Sequence, residues 1–244
     1  MPTQRQRVDR LLVERGLFES RAKAQAAIEA GLVSANDVAV RKASEEIPLD
    51  ARLSARPAHP FVSRGGVKLA AALDRFGFDP KGRVCLDVGA STGGFTQVLL
   101  QRGAKRIYAV DVGRGQLHET LLAWPKIVSL EETDIRALSP ARLAERPDLV
   151  TVDVSFISLK LVLPAALALA KSPAQLVALI KPQFEAGRAA LKKGVVRDDA
   201  VRQAVCAEIE AFVVSLGWRF IGVMRSPIEG GDGNIEFLLG AVRD

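Results

Sequence analysis

Four ionisable residues, Lys68, Asp153, Lys181 and Glu236, stand beside runs of apolar sequence, where a charge is costly to bury unless it is paired. Two amines and two carboxylates could move a proton or hold a polar substrate. Each also has a plainer reading: Lys181 and Asp153 as an ion pair at a sheet rim, Glu236 as a solvent-facing edge residue. A second constellation is the segment Leu86-Asp87-Val88-Gly89-Ala90-Ser91-Thr92-Gly93-Gly94-Phe95, a strand, a glycine-rich turn and a helix start, where an open α/β sheet binds its ligand. A dinucleotide fingerprint requires glycine where Ser91 stands, so that backbone can approach a pyrophosphate. The Asp87 carboxylate just before the turn favours a ligand with a cationic end instead. Asp111 ends the next strand, where an acid can accept both ribose hydroxyls, and Asp134 with Ile135 follows the third, where side chain and backbone can read an adenine edge. Three acids at successive strand ends behind a glycine turn point to S-adenosylmethionine (SAM), which carries an ammonium, a sulfonium and no phosphate. The expected contacts are Asp87, Gly89, Ala90, Ser91, Gly93, Gly94, Phe95, Asp111, Asp134 and Ile135.

These residues must be positioned by alternating elements. Strands are expected at 84–88, 106–111, 127–130, 149–154, 176–181, 219–224 and 234–242, with helices around 67–76, 94–103, 115–123, 138–145, 157–171 and 199–216. That alternation predicts an α/β fold, a Rossmann-like, mostly parallel sheet covered on both faces. The last two strands read as a hairpin through Gly230-Gly231-Asp232-Gly233, which makes the final strand antiparallel. This is the methyltransferase variant of the doubly wound fold.

Residues 1–60 read as a separate small domain, ending in the stiff linker Arg56-Pro57-Ala58-His59-Pro60, with 61–244 as the second domain. Val8, Leu11 and Leu12 form a helical stripe, Ser20 is a good N-cap for a second helix stopping at Gly31, and Asn36-Asp37 suits a hairpin turn. The chain of 244 residues has 48% apolar content and a net charge of +6, which excludes disorder and favours a polyanionic partner. Two cysteines exclude a disulfide scaffold, and two histidines build no metal centre alone, so no metal is expected. Pro164, Lys171 and Pro173 interrupt the most apolar stretch, and nothing signals export, which suits a soluble cytoplasmic protein without a membrane span.

The pattern Arg7-Val8-Asp9-x-x-Leu12-Val13-x-Arg15-Gly16-Leu17, with Ser20-Arg21-x-x-Ala24 and Ile28-x-x-Gly31-x-Val33, resembles the S4 RNA-binding domain, a small α+β module. The resemblance implies Arg5, Arg7, Arg21 and Lys23 near structured RNA. Asp37 stands where that family usually has glycine, so a strained or reshaped hairpin tip is expected. With Phe18 as its one aromatic residue, this domain is suited to phosphate contacts and shape rather than to base stacking.

The chemistry must be sought from the fourth strand onward. Asp153-Val154-Ser155-Phe156 lacks the Asn/Asp-Pro-Pro-aromatic turn usual for amino-group methylation. Cys85 and Cys206 sit within elements and read as inert core thiols, not as pyrimidine nucleophiles. The ordered set Lys68, Asp153, Lys181, Glu236 resembles the tetrad of the FtsJ-type ribose 2′-O-methyltransferases. Adding Phe61-Val62-Ser63-Arg64-Gly65-Gly66-x-Lys68-Leu69, Asp153-x-Ser155-Phe156-Ile157-Ser158-Leu159 and Lys181-Pro182-Gln183-Phe184-Glu185, nearly the whole chain resembles the TlyA (haemolysin A) family of rRNA methyltransferases. That resemblance implies methyl transfer from SAM to the 2′-hydroxyl of a cytidine in rRNA. Lys181 is then the general base, Asp153 orients it, Lys68 is a second cation that positions the hydroxyl, and Glu236 holds a lysine or the ribose. RNA is expected along Arg64 and the basic loop of Arg188, Lys192, Lys193 and Arg197. The chain stops soon after its last strand, without the further helix associated with members acting on both subunits, which favours 23S rRNA and the 50S subunit, with 16S rRNA as the other candidate. A monomer is the default expectation. The alternatives are a non-catalytic RNA-binding assembly factor, which a SAM titration separates, and a pore-forming haemolysin, which the absence of an obvious lytic segment disfavours.

Overall fold

A computed structural model of the protein describes residues 4–244, and the chain divides into two compact units at Pro60/Phe61. In the second unit the apolar runs become a seven-stranded sheet. Its strands are β1 Val84–Val88, β2 Arg106–Val110, β3 Ile127–Leu130, β4 Leu149–Val152, β5 Ala174–Ile180, β6 Arg219–Arg225 and β7 Phe237–Arg243. Their order is β6-β7-β5-β4-β1-β2-β3, parallel except for β7, which runs antiparallel to both β5 and β6. The four central strands are near-continuously buried because helices cover both faces. The direction of winding reverses between β1 and β4, and in an open α/β sheet that point leaves a crevice at the carboxyl ends of the strands.

On one face lie α1, Gly65–Phe76, and α2, Gly94–Gln101; on the other, α3, Leu159–Leu169, and α4, Asp199–Ser215. Leu69, Ala72 and Leu73 form the buried stripe of α1, at the i, i+3, i+4 spacing of one helix face. A Cβ on Gly240 of β7 would lie 2.7 Å from the Phe76 ring. That glycine therefore lets α1 settle onto β7, carrying Lys68 toward the end of the strand where Glu236 stands.

Three expected elements differ. The segment 138–145 is not a helix but holds a single 3₁₀ turn, Pro140–Arg142, preceded by another at Ile135–Ala137, each capped by the side chain before it, Ser139 and Asp134. Leu138 and Leu143 still reach the core from these turns. The helix over 115–123 contracts to Glu119–Leu122. The Glu131 carboxylate takes the backbone N–H groups of Gly115, Gln116 and Leu117 at 2.5, 2.7 and 2.9 Å, donors that hold the segment as a loop. The last strand begins at Phe237 rather than 234, leaving Asn234 and Glu236 in the turn before it.

The first unit has helices Val8–Glu14 and Arg21–Glu29 over a core of Val8, Leu11, Leu12, Phe18, Ala24, Ala27 and Ile28. Ser20 caps the second helix by accepting from the Lys23 N–H. The hairpin of Val33–Ala35 with Val38–Ala39 turns through Asn36 at φ 48° and Asp37 at φ 63°, so the turn keeps its left-handed form without glycine. Asn36 accepts from the Arg52 N–H at 2.8 Å, and Arg52 pairs with Asp37; these bonds offset the cost of two L residues in that region. Leu53–Ala55 adds a third strand, and Arg5–Arg7 pairs with Glu46–Pro48, two pairings that lacked any sequence expectation.

Candidate active site

The ladder explains how residues distant in sequence meet. Ile180 of β5 pairs with Phe237 of β7, so the antiparallel register extended by one step sets Lys181 against Glu236. Val88 of β1 pairs with Val152 of β4, so Gly89 and Asp153 are the next residues out. All four lie at the carboxyl-end crevice, on the wall of one cavity of about 560 Å³ that Lys68 completes from α1.

Within that wall the four charges resolve into two pairs. Lys181 Nζ donates to Asp153 Oδ1 at 2.6 Å and to Ser155 Oγ at 2.8 Å. Lys68 donates to Glu236, which is 2% exposed and therefore not an edge residue facing solvent. The carboxylate of Glu236 occupies the space where a Gly230 side chain would begin. Lys181 and Asp153 do form the ion pair of the plainer reading, but on the cavity wall.

The glycine bend forms the floor. Gly89 has φ 81° and a Cβ there would collide with the Asp153 carbonyl; Gly93 has φ 97°. A Cβ on Gly94 would lie 2.9 Å from the Gly66 nitrogen, so this glycine lets the N-termini of α1 and α2 approach beside the cavity. Ser91, at φ 46°, donates its N–H to Asp111 at 2.8 Å. A second cavity of about 530 Å³ adjoins through shared residues Gly89, Ser91, Asp153, Ser155 and Phe156, and it carries Asp111, Asp134, Ile135 and the apolar side chains of Val110, Val112 and Val162.

The expected cofactor contacts therefore fall into two groups. Gly89, Ala90, Ser91, Gly94, Phe95, Asp111, Asp134 and Ile135 border one cavity or the other. Gly93 shapes the bend behind them, its missing side chain admitting Leu117 and Leu121. Asp134 is engaged by Arg136, whose guanidinium lowers its carboxyl from the usual range. Asp87 is placed differently from its expected role as an anion facing the ligand. It is 0% exposed, borders neither cavity and accepts from the Thr96 hydroxyl at 2.6 Å and the Thr151 hydroxyl at 2.9 Å. It ties the start of α2 to β4.

Burial pushes the Asp87 carboxyl up to about 7, against the hydroxyl hydrogen bonds from Thr96 and Thr151 that favour its charge. The folded protein thus binds this proton more tightly than the unfolded chain does. The stabilisation is complete below the ordinary carboxylate range near pH ~4 and is lost as pH rises through about 7. Compared with Asp87→Asn, the wild type is expected to lose roughly 4 kcal/mol of stability across that window. Denaturant titrations of both proteins at several pH values check this, and parallel stability curves would refute it.

The expected RNA contacts are dispersed. Arg64 borders the first cavity, while Arg188, Lys192, Lys193 and Arg197 are exposed around the two-stranded ladder Leu191–Lys192 with Val195–Val196. In the first unit Arg7 and Arg21 are not free forks, because both bind the buried carboxylate of Asp9, which Gln25 also reaches. The Arg7 hydrogen bond above all holds Asp9 well below the usual carboxylate range. Lys23 pairs with Glu19, and Arg5 donates to the Glu46 carbonyl. Cys85 and Cys206 are free thiols raised by burial, Cys206 to about 11.

Four cavity residues had no assigned role in the sequence. Ser155 and Phe156 follow Asp153, and Phe184 follows Lys181, so their place in the motifs was visible, but their orientation was not. Phe156 has φ 64°, is 90% exposed and packs against Phe184 with ring centroids 5.0 Å apart and the rings tilted by 51°. Asn234 gave no local signal at all.

Residues 61–243 match the family described as FtsJ-like methyltransferase, and residues 6–53 match the S4 domain. The chain is 43% identical over 238 residues to the Mycobacterium tuberculosis protein named 16S/23S rRNA (cytidine-2′-O)-methyltransferase TlyA, covering 96% of this chain and 89% of that one. It is 40% identical over 179 residues to the Campylobacter jejuni 23S rRNA (cytidine-2′-O)-methyltransferase TlyA, covering 72% and 69%. A solved structure of a Streptococcus thermophilus protein, described as a candidate hemolysin, superposes with a TM-score of 0.79 at 41% identity, covering 99% of this chain and 89% of the other. Among the described residues no helix is long and apolar enough to cross a membrane.

Proposed function

The chain belongs to the FtsJ-like methyltransferase family and carries an S4 domain, and from that premise we propose that it transfers a methyl group from SAM to the ribose 2′-hydroxyl of a cytidine in rRNA, with 23S rRNA as the favoured substrate and the protein acting as a cytoplasmic monomer. The observation that carries this reading is the convergence of Lys68, Asp153, Lys181 and Glu236 on one cavity beside the glycine bend.

The residues present fit the donor. Gly89 borders both cavities, and its missing side chain admits the Asp153 carbonyl, which leaves backbone open where the two cavities join. The helix N-termini at Gly65 and Gly94 offer N–H groups to a carboxylate. Asp111 and the valine walls of the second cavity suit a ribose and an adenine ring. SAM supplies, when bound, a methyl group on a positively charged sulfur that leaves as a neutral thioether.

The remaining requirement falls on the protein, because a sugar hydroxyl must lose its proton as it attacks. A neutral lysine has two N–H donors and one lone pair. Asp153 and Ser155 are placed to take both donors of Lys181, which leaves the lone pair for the hydroxyl proton. Lys68, with one donor committed to Glu236, keeps others for the hydroxyl oxygen. The Phe156–Phe184 pair presents an aromatic face at the cavity, suited to stacking a base exposed when a nucleotide is extruded.

Purified protein incubated with labelled SAM and 50S subunits lacking the modification is expected to place the label on the 2′-oxygen of one cytidine. Nuclease mapping of ribose methylation checks this, and label on a base or no transfer to rRNA refutes it. Affinity for rRNA is expected to fall steeply with salt, by roughly 0.7–0.9 in log–log slope for each phosphate neutralised.

A further inference from the structure

Asn234 lies in the turn between β6 and β7 and is 4% exposed. The turn is already closed by its backbone, with the Gly230 N–H donating to the Asn234 carbonyl at 2.8 Å and the Asn234 N–H to the Gly231 carbonyl at 3.1 Å. The side-chain amide does something the backbone does not. Besides a local bond to the Gly231 carbonyl, it donates to the carbonyl of Gly194 at 3.2 Å, across a sequence separation of 40 residues.

Gly194 is at the tip of the hairpin formed by Leu191–Lys192 and Val195–Val196, and that tip turns through Lys193 at φ 53° and Gly194 at φ 79°. Two residue pairs make too short a ladder to hold its own position. Arg202 of α4 secures the hairpin's base by donating to the carbonyls of Val196 and Arg197 at 3.2 and 3.0 Å. Asn234 secures the tip. The hairpin carries exposed Lys192 and Lys193, and its Gly194 lines the same cavity as Asn234 and Glu236. Two residues beyond Asn234, Glu236 holds Lys68. A physical chain thus runs from the basic tip through one amide to the acid–lysine pair.

We propose that Asn234 is a positioning residue that docks the tip of the basic hairpin on the cavity rim, so that Lys192 and Lys193 hold a phosphate of the rRNA beside the cavity. This rests on the reading above that the protein methylates rRNA and that the hairpin meets its phosphates.

The test compares methyl transfer to rRNA by wild type, Asn234→Ala, the double variant Lys192→Ala/Lys193→Ala, and the triple variant. Asn234→Ala is expected to raise KM for rRNA about tenfold, the size of effect that one lost buried hydrogen bond produces, with kcat and SAM affinity within about twofold of wild type. The double variant is expected to raise KM and lower the salt slope by roughly 0.7–0.9, the value for the one phosphate they hold, and the triple to be no worse than the double, because the amide acts through the hairpin. An unchanged KM in Asn234→Ala overturns the proposal, as does an effect that adds in full to that of the double. A double variant with wild-type KM and salt slope removes the hairpin from RNA recognition and this inference with it, while leaving methyl transfer standing. Asn234→Leu, similarly branched, uncharged and without the donor, gives the same comparison if the alanine variant does not fold.

Discussion

Lys181→Ala is expected to bind SAM as tightly as the wild type while its turnover on rRNA falls by roughly 10²–10⁴-fold or more. The reason is geometric. Asp153 and Ser155 flank the amine at 2.6 and 2.8 Å, and together they orient what remains of it toward the cavity. In the proposed reading the donor is held by other groups, the glycine bend and the second cavity, so cofactor affinity is insulated from the change. Lys181→Arg separates a base from a mere cation. A guanidinium still pairs with Asp153 but stays protonated, so the arginine variant is expected to be as inactive as alanine. Single-turnover transfer and calorimetric SAM binding check both. Substantial methylation by Lys181→Ala would exclude the lysine from proton removal, and full activity in Lys181→Arg would assign it an electrostatic role only.

Glu236→Ala is expected to destabilise the protein strongly. Lys68 and Glu236 have 9% and 3% side-chain exposure, so deleting the acid leaves an ammonium buried without its counterion. Breaking such a pair costs on the order of 3–5 kcal/mol, whereas replacing both partners with apolar groups is often neutral or stabilising. The double variant Lys68→Met/Glu236→Leu is therefore expected to recover most of the stability lost by Glu236→Ala and still fail to methylate rRNA. Chemical denaturation with a parallel activity assay measures both. If Glu236→Ala unfolds within about 1 kcal/mol of wild type, the pair is solvated and its burial is not what holds α1 to the strand end. If the double variant methylates, the pair is structural.

Much of the fold was legible because each central strand is a short apolar run bounded by turn chemistry. Val84–Val88 stands where the pattern puts it, since a strand covered on both faces needs nearly every residue apolar. The failures share a cause: apolar spacing does not reveal where a helix's first N–H groups find acceptors. Between Leu138 and Leu143, Ser139 and Pro140 divert the chain into a 3₁₀ turn. Around residue 115, a carboxylate supplied from the end of β3 holds the segment as a loop.

At the site, the sequence by itself determined the parts list: the glycine bend, the two lysines and two acids of the tetrad, and their order along the chain. Residue types and local spacing suffice for that, because turn conformation and strand burial are short-range demands. Only the tertiary structure decided the partnerships. The antiparallel register of β7 on β5 places Glu236 opposite Lys181, yet the close seating of α1 on Gly240 gives Glu236 to Lys68 and leaves Lys181 to Asp153 and Ser155. It also turned Asp87 inward and joined Asn234 to a hairpin 40 residues away. Ion pairs and hydrogen bonds act over a few ångströms between groups that can be a hundred residues apart, so their pairing is set by how the elements pack.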